Sequence, residues 1–190
     1  VIDADGNAVA VTTTLNGSYG CGLLVPRAGF LLNNEMDDFA VAPGKPNYYG
    51  LIQGEANSVG PGKRMLSSMT PTIAWQGERM IVLGSPGGSR IPTATAQVLL
   101  NLIVDGDALQ ASVDRPRIHH QWMPDVISAE SDALSPETAR ALERRGHEIQ
   151  VVGNLGEVSA VRGEIGGELE ASQDPRGPGA GGVVQPAAGQ

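Results

Sequence analysis

The chain reads as an α+β protein, and three features carry that reading. Strand signals recur with paired turn residues, two helices are sharply marked, and the strands do not alternate with helices as a βαβ series. The first strand signal opens at Val1-Ile2. Asp3-Ala4-Asp5-Gly6-Asn7 supplies turn chemistry, since glycine accepts positive φ at no steric cost, and Ala8 to Asn16 returns as the second arm of a hairpin. Along that arm Val9, Val11 and Thr13 share one face, while Ala10, Thr12, Thr14 and Asn16 share the other. Residues 17–43 are rich in Gly and Asn and are expected to be loop with short extended pieces. Residues 42–62, with Tyr48-Tyr49 among several Pro and Gly, read as an ordered surface loop. A second hairpin is expected from Pro71–Trp75 and Arg79–Leu83 around Gln76-Gly77-Glu78.

Gly84-Ser85-Pro86-Gly87-Gly88-Ser89 follows that strand directly. A helix is expected next, over about 91–104, because Ile91, Thr95, Val98, Leu99, Leu102 and Ile103 recur at helical spacing. A shorter helix at 136–145 has Ser135 as N-cap, Pro136 at its first position and Gly146 at its end. Residues 125–130, 148–152 and 157–162 read as strands. Residues 1–176 form the folded unit in this reading, and the Gly/Pro-rich tail 177–190 is expected to be mobile.

Composition excludes several classes. The chain has 190 residues, 41% of them apolar, enough for one core or for half of a larger one. Its net charge of −8 disfavours binding to a phosphate backbone, and only seven aromatic residues (2 Phe, 2 Trp, 3 Tyr) argue against a base-stacking platform; no nucleic-acid partner is expected. The longest apolar stretch, Val98 to Val104, is interrupted by Asn101 and falls far short of the ~20 residues of a membrane span. A single cysteine, Cys21, excludes an internal disulfide and a Cys-based zinc site. The chain opens at Val1 directly into a strand, so a fragment or a cleavage product is expected.

Several clusters carry chemistry. A strand–Gly84-Ser-Pro-Gly-Gly-Ser89–helix passage presents free backbone N–H groups at a helix start, suited to an anion or a developing oxyanion, or to no more than a tight turn. It lacks the Lys-Ser/Thr of a P-loop. Ser67-Ser68 could hold a carboxylate, act as nucleophiles, or cap the turn before the second hairpin. Glu35, Asp37 and Asp38 place three carboxylates within four residues. Such a cluster repels itself unless it meets a cation: a metal, a substrate ammonium, or only solvent. His119-His120 falls in an extended segment whose neighbours point to opposite faces, so structural hydrogen bonding is the better reading than metal binding. Thr14 and Asn16 share a polar strand face.

These pieces occur in a recognisable order. Asp5-Gly-Asn-Ala-Val9 with Thr14-Leu-Asn16, Leu32-Asn-Asn-Glu-Met-Asp-Asp-Phe39, Pro46-Asn-Tyr-Tyr-Gly50, Arg64-Met-Leu-Ser-Ser-Met-Thr-Pro71, Gly84-Ser-Pro-Gly-Gly-Ser-Arg90, Asp114-Arg-Pro-Arg-Ile-His-His-Gln-Trp122 and Ala171-Ser-Gln-Asp-Pro-Arg176 together resemble the small subunit of the gamma-glutamyltranspeptidases, or glutathione hydrolases. The resemblance spans about nine tenths of the chain. It implies an N-terminal-nucleophile hydrolase fold, a four-layer αββα sandwich completed by a separate large subunit cut from the same precursor by self-cleavage. It implies no cofactor and no metal.

The activity so implied is hydrolysis and transfer of the γ-glutamyl group of glutathione and related amides through a γ-glutamyl-threonine acyl-enzyme. The acceptor would be water, an amino acid or a dipeptide. By the resemblance Thr14 orients the nucleophile, and Gly87 and Gly88 are the oxyanion-hole donors. Ser67 and Ser68 bind the substrate α-carboxylate with an Arg of the large subunit. Asn16, Glu35 and Asp38 bind the α-ammonium, and Tyr49 is the lid tyrosine. In the family the nucleophile opens a Thr-Thr-His-x-Ser stretch immediately before the position matching Val1, and those five positions are not in this sequence. The competing expectations are a non-catalytic γ-glutamyl-binding subunit and a β-lactam acylase of the same superfamily. Location is expected to be periplasmic or secreted, from the family.

Overall fold

The computed structural model describes residues 1–185, apart from Ala4. Two short strands, β1 (Leu24–Val25) and β2 (Phe30–Leu31), precede a long irregular stretch. The main sheet begins with β3 (Thr72–Gln76) and β4 (Arg79–Gly84), the expected second hairpin. Then come α1 (Ile91–Ile103), α2 (Leu109–Asp114), β5 (Ile118–His119), β6 (Val126–Glu130), α3 (Pro136–Glu143), β7 (Glu148–Val152), β8 (Ser159–Glu164), β9 (Leu169–Ser172) and β10 (Gly182–Val184). Five strands form an antiparallel sheet in the order β10-β9-β8-β4-β3. Three more form a second sheet, β5-β6-β7, in which β6 and β7 run parallel. The β6–α3–β7 passage is thus a single βαβ crossover that the sequence reading did not separate out.

β4 lies inside the main sheet with β3 and β8 on its two sides, and its residues alternate between two buried faces. Ile81 and Leu83 join Ala94, Val98 and Leu102 of α1, Leu109 and Val113 of α2, and Val158 and Ala160 in one core cluster. A fully buried aliphatic side chain of this size contributes about 1.5–3 kcal/mol. Residues such as Val82 and Val161 turn to the opposite face, where a groove opens. The helix reading holds: α1 buries Ile91, Thr95, Val98 and Leu102, and Ser135 caps α3 by accepting from Thr138 N–H. The six-residue α2 is too short for its period to be read.

The first hairpin is shorter than expected. Val1 and Val9 exchange backbone bonds at 2.9 Å and Ile2 bridges Ala8, but residues 10–15 run extended without a ladder partner among the described residues. An extended segment becomes a strand only when another edge pairs with it. The expected alternation survives only as far as Thr13: Val9, Val11 and Thr13 are exposed and Ala10 and Thr12 turn inward, but Thr14, expected on the inner face, is exposed as well. Within the stretch expected to be a mobile tail, Gly182–Val184 pair with β9, and residues 186–190 lie outside the described residues.

Four charged side chains are buried together between the sheets. Asp174 accepts from Arg117 at 2.7 Å and from Arg176 at 3.0 Å, and Glu130 accepts from Arg176 Nε at 2.7 Å. Burial alone would raise both carboxyls, but these guanidinium groups and backbone N–H donors hold them below their ordinary range. The same carboxylates accept Leu155 N–H at 2.7 Å and Val158 N–H at 2.6 Å. The network therefore pins residues 155–158, the floor under the glycine turn. The 114–122 and 171–176 motifs do this structural work.

Candidate functional site

The extended segment 10–15 crosses the groove face of the main sheet, with Thr12 near Gly84. It ends at Asn16, which sits in the left-handed region at φ 69°, a conformation Asn tolerates better than most residues. Thr14 Oγ1 accepts Asn16 N–H at 2.8 Å and so holds this corner. Asn34 braces it from the other side: its carbonyl accepts from Asn16 Nδ2 at 3.2 Å and its Oδ1 accepts Gly17 N–H at 2.8 Å. Asn34 went unnoticed in the sequence, where one Asn among several carries no mark.

Next to that corner a single 3-10 turn, Glu35–Asp38, carries the three carboxylates. The structure divides them. Asp37 turns to the 46–52 loop and accepts Tyr48 N–H at 2.9 Å. Glu35 and Asp38 lie close enough that each carboxyl shifts the other. Burial pushes Glu35 up, and the Asp38 charge beside it adds to the shift; burial likewise pushes Asp38 up. Glu35 Oε1 is buried without a hydrogen-bond partner among the described residues. Asp38 lines the groove, and Glu35 stands behind it rather than on the wall.

The 46–52 loop is folded by Asn47, whose Oδ1 accepts the N–H groups of Tyr49 at 3.1 Å and Leu51 at 2.9 Å. This presents Tyr49 inward, and its hydroxyl donates to the Asn16 carbonyl at 2.7 Å. The Tyr49 ring lies on Gly88: a Cβ there would sit 2.5 Å from the ring, and Gly88 has φ 59°. Glycine is required twice at this position, for conformation and for contact.

The glycine turn itself follows β4. Gly87 has φ 137°, and no hydrogen bond within the described residues occupies the Gly87 or Gly88 N–H. Beneath it Gly156, at φ 80°, lets the pinned 155–158 stretch pass; a Cβ there would meet Ser85 Oγ at 2.7 Å. Ser85 Oγ accepts Glu157 N–H at 3.0 Å, joining floor to turn. Ser68 Oγ donates to the Gly88 carbonyl at 2.9 Å, and Ser67, exposed beside it, accepts Met69 N–H at 3.2 Å.

Thr14, Asn16, Asp38, Tyr49, Ser67, Ser68, Gly87 and Gly88 thus line one groove of about 1440 Å³, together with Val1. No group of three His, Cys, Asp or Glu able to hold a metal ion occurs among the described residues. His119 and His120 point apart. His119 is buried against Thr93 and Gln121, and His120 meets Asp125 at 2.9 Å. Chemically, the groove offers unpaired N–H donors for an oxyanion, hydroxyls for a carboxylate, and the Asp38 carboxyl, with Glu35 behind it, for an ammonium.

Two sheets with helices packed on them, and a glycine turn leading from β4 into α1, match the N-terminal-nucleophile hydrolase fold. Comparison with solved structures agrees. A gamma-glutamyltranspeptidase from Pseudomonas nitroreducens, complexed with L-DON, superposes with a TM-score of 0.88 at 44% identity, over 97% of each chain. The Escherichia coli (strain K12) glutathione hydrolase proenzyme is 47% identical over 177 residues, 93% of this chain. The Pseudomonas aeruginosa proenzyme is 46% identical over 190 residues, 98% of this chain. The gamma-glutamyltranspeptidase family model matches residues 1–184, and the chain belongs to that family. It spans 30% and 34% of the length of these two proenzymes.

Proposed function

We propose that this chain is the small subunit of a heterodimeric enzyme that hydrolyses and transfers γ-glutamyl groups, with glutathione as a donor. One observation carries the reading: Asp38, backed by Glu35, and a pair of serines flank a glycine turn with free N–H groups in a single groove. Such a groove reads a zwitterion beside an amide. The donor's α-ammonium takes the Asp38 carboxylate, with Glu35 behind it and Asn16 alongside. Its α-carboxylate takes Ser67 and Ser68. Its γ-carbonyl oxygen then falls to the Gly87 and Gly88 N–H groups, which stabilise it as negative charge develops.

The attacking threonine, its α-amine acting as base, would stand immediately before Val1, and Thr14 would orient it. Water, an amino acid or a dipeptide would then release the γ-glutamyl group from the threonine ester. The large subunit, from the same precursor, would cover the exposed Val9 and Val11 face and add an Arg to the carboxylate site. In this reading the enzyme works in the periplasm or outside the cell, a location supported by the family alone and checked by fractionation.

Retention of Glu35, Asp38 and the two serines disfavours a β-lactam acylase, whose donors lack the γ-glutamyl zwitterion. A donor missing either charged group leaves buried partners unpaired, at about 1–3 kcal/mol each. Rates of the two-subunit protein on γ-glutamyl and glutaryl anilides test this. Strong preference for the γ-glutamyl anilide is expected. No cleavage of it, or equal rates on both, would refute the reading.

A further inference from the structure

His119 has no part in the function above, yet it is buried in β5 behind the glycine turn, 6% exposed. Both ring nitrogens are engaged: Nε2 meets Gln121 Oε1 at 2.9 Å, and Nδ1 meets Thr93 Oγ1 at 2.8 Å. The Gln121 amide nitrogen donates to the Met123 carbonyl at 3.1 Å, which leaves its oxygen as acceptor and puts a proton on Nε2. In the neutral ring Nδ1 is then a bare acceptor, and the Thr93 hydroxyl supplies the proton. Thr93 lies in the first turn of α1, and its hydroxyl also reaches the Arg90 carbonyl at 3.0 Å. Arg90 N–H in turn donates to the Gly87 carbonyl at 3.2 Å. One turn further along α1, Gln97 brackets Ile118: it accepts Ile118 N–H at 3.0 Å and donates to its carbonyl at 2.8 Å.

We propose that Thr93 and His119 are a positioning couple for the oxyanion turn: through this bond β5 holds the start of α1, and the start of α1 sets where the Gly87 and Gly88 N–H groups point. The Thr93 hydroxyl has one proton for two acceptors. A neutral ring takes it at Nδ1. A doubly protonated ring donates at Nδ1 instead, and the Thr93 proton turns to the Arg90 carbonyl. Ring charge is thereby transmitted to the turn. Burial outweighs the Gln121 hydrogen bond and, with the Arg90 guanidinium and the neighbouring His120, holds His119 below its ordinary range, so the neutral ring prevails at neutral pH. From α1 the uncharged Thr93 meets the ring, and β6 places Ser128 opposite.

The catalytic consequence rests on the acyl-transfer function proposed above; the structural coupling does not. Two measurements on the two-subunit protein separate them. In an NMR pH titration with labelled His and Gly, the Gly87 and Gly88 amides follow the midpoint of the His119 ring, and Thr93→Val uncouples them. Wild-type amides that ignore the His119 titration overturn the proposal whatever the activity. In kinetics with γ-glutamyl p-nitroanilide, Thr93→Val lowers kcat about tenfold with KM within about twofold, and Thr93→Ser restores kcat. An active wild type with kcat unchanged in Thr93→Val overturns the positioning role. An inactive wild type refutes the acyl-transfer function and leaves the titration to decide. Should Thr93→Val fail to assemble, the wild-type titration remains the test.

Discussion

Burial pushes both Glu35 and Asp38 above the ordinary carboxylate range, and the Asp38 charge adds to the shift at Glu35. An ammonium ligand favours the ionised form of both groups. Donor binding is therefore expected to release a proton and to weaken as pH falls, from a point above the ordinary carboxylate range, since both groups are shifted up. Calorimetry in buffers of different ionisation enthalpy reads the proton directly. Asp38→Ala should raise KM strongly and lower kcat, with kcat/KM falling about a hundredfold, the worth of a charge-assisted bond plus lost orientation; unchanged kinetics would remove Asp38 from the substrate. At Gly88 an added Cβ would strike the Tyr49 ring at 2.5 Å. Gly88→Ala should lower kcat about ten- to a hundredfold. Pairing it with Tyr49→Ala should restore stability without restoring kcat, as thermal melts and kinetics on the pair would show.

At the level of elements, the extended 10–15 segment runs along the groove, and Val9 and Val11 on one of its faces are 55% and 75% exposed. Exposed alternate valines on a segment without a ladder partner mark an edge that expects one. Val11→Asp should weaken association with the large subunit while the small subunit keeps its helix content; size-exclusion chromatography and circular dichroism distinguish the two. α3 offers a simpler check. Ser135 accepts Thr138 N–H at 3.1 Å, and Ser135→Ala should cost about 1 kcal/mol in a denaturant melt.

Across the whole molecule the Arg117–Asp174–Arg176–Glu130 network joins the start of β5, the end of β6, the 155–158 floor and the 174–176 stretch. Its carboxylates are depressed in the folded state, so their contribution to stability is complete above the ordinary unfolded carboxylate range and is lost as pH falls from there through their lowered folded values. A steep loss of melting temperature below about pH 4 is expected. Asp174→Ala should cost about 3–5 kcal/mol, because it strands the Arg117 guanidinium, 1% exposed, away from water. Since that network pins the floor beneath Gly87, a milder Asp174→Asn should lower kcat more than it raises KM.

The local signals in the sequence were sufficient for what depends on near neighbours: the β3–β4 hairpin, α1, the capped α3, and the glycine turn between strand and helix. Periodicity, caps and turn residues act over a few positions, so they are legible there. The site residues could be named singly, and their order along the chain matched a family. Their meeting in one groove could not be read from spacing, because Thr14, Asp38, Ser68 and Gly88 are brought together by contacts between distant segments. The same holds for the choice of Glu35 and Asp38 over Asp37, for Asn34 and Gly156, and for the buried ion network. Which of three adjacent carboxylates faces a ligand, and which glycine a ring lies upon, is decided by what packs across from it, and only the folded chain supplies that neighbour.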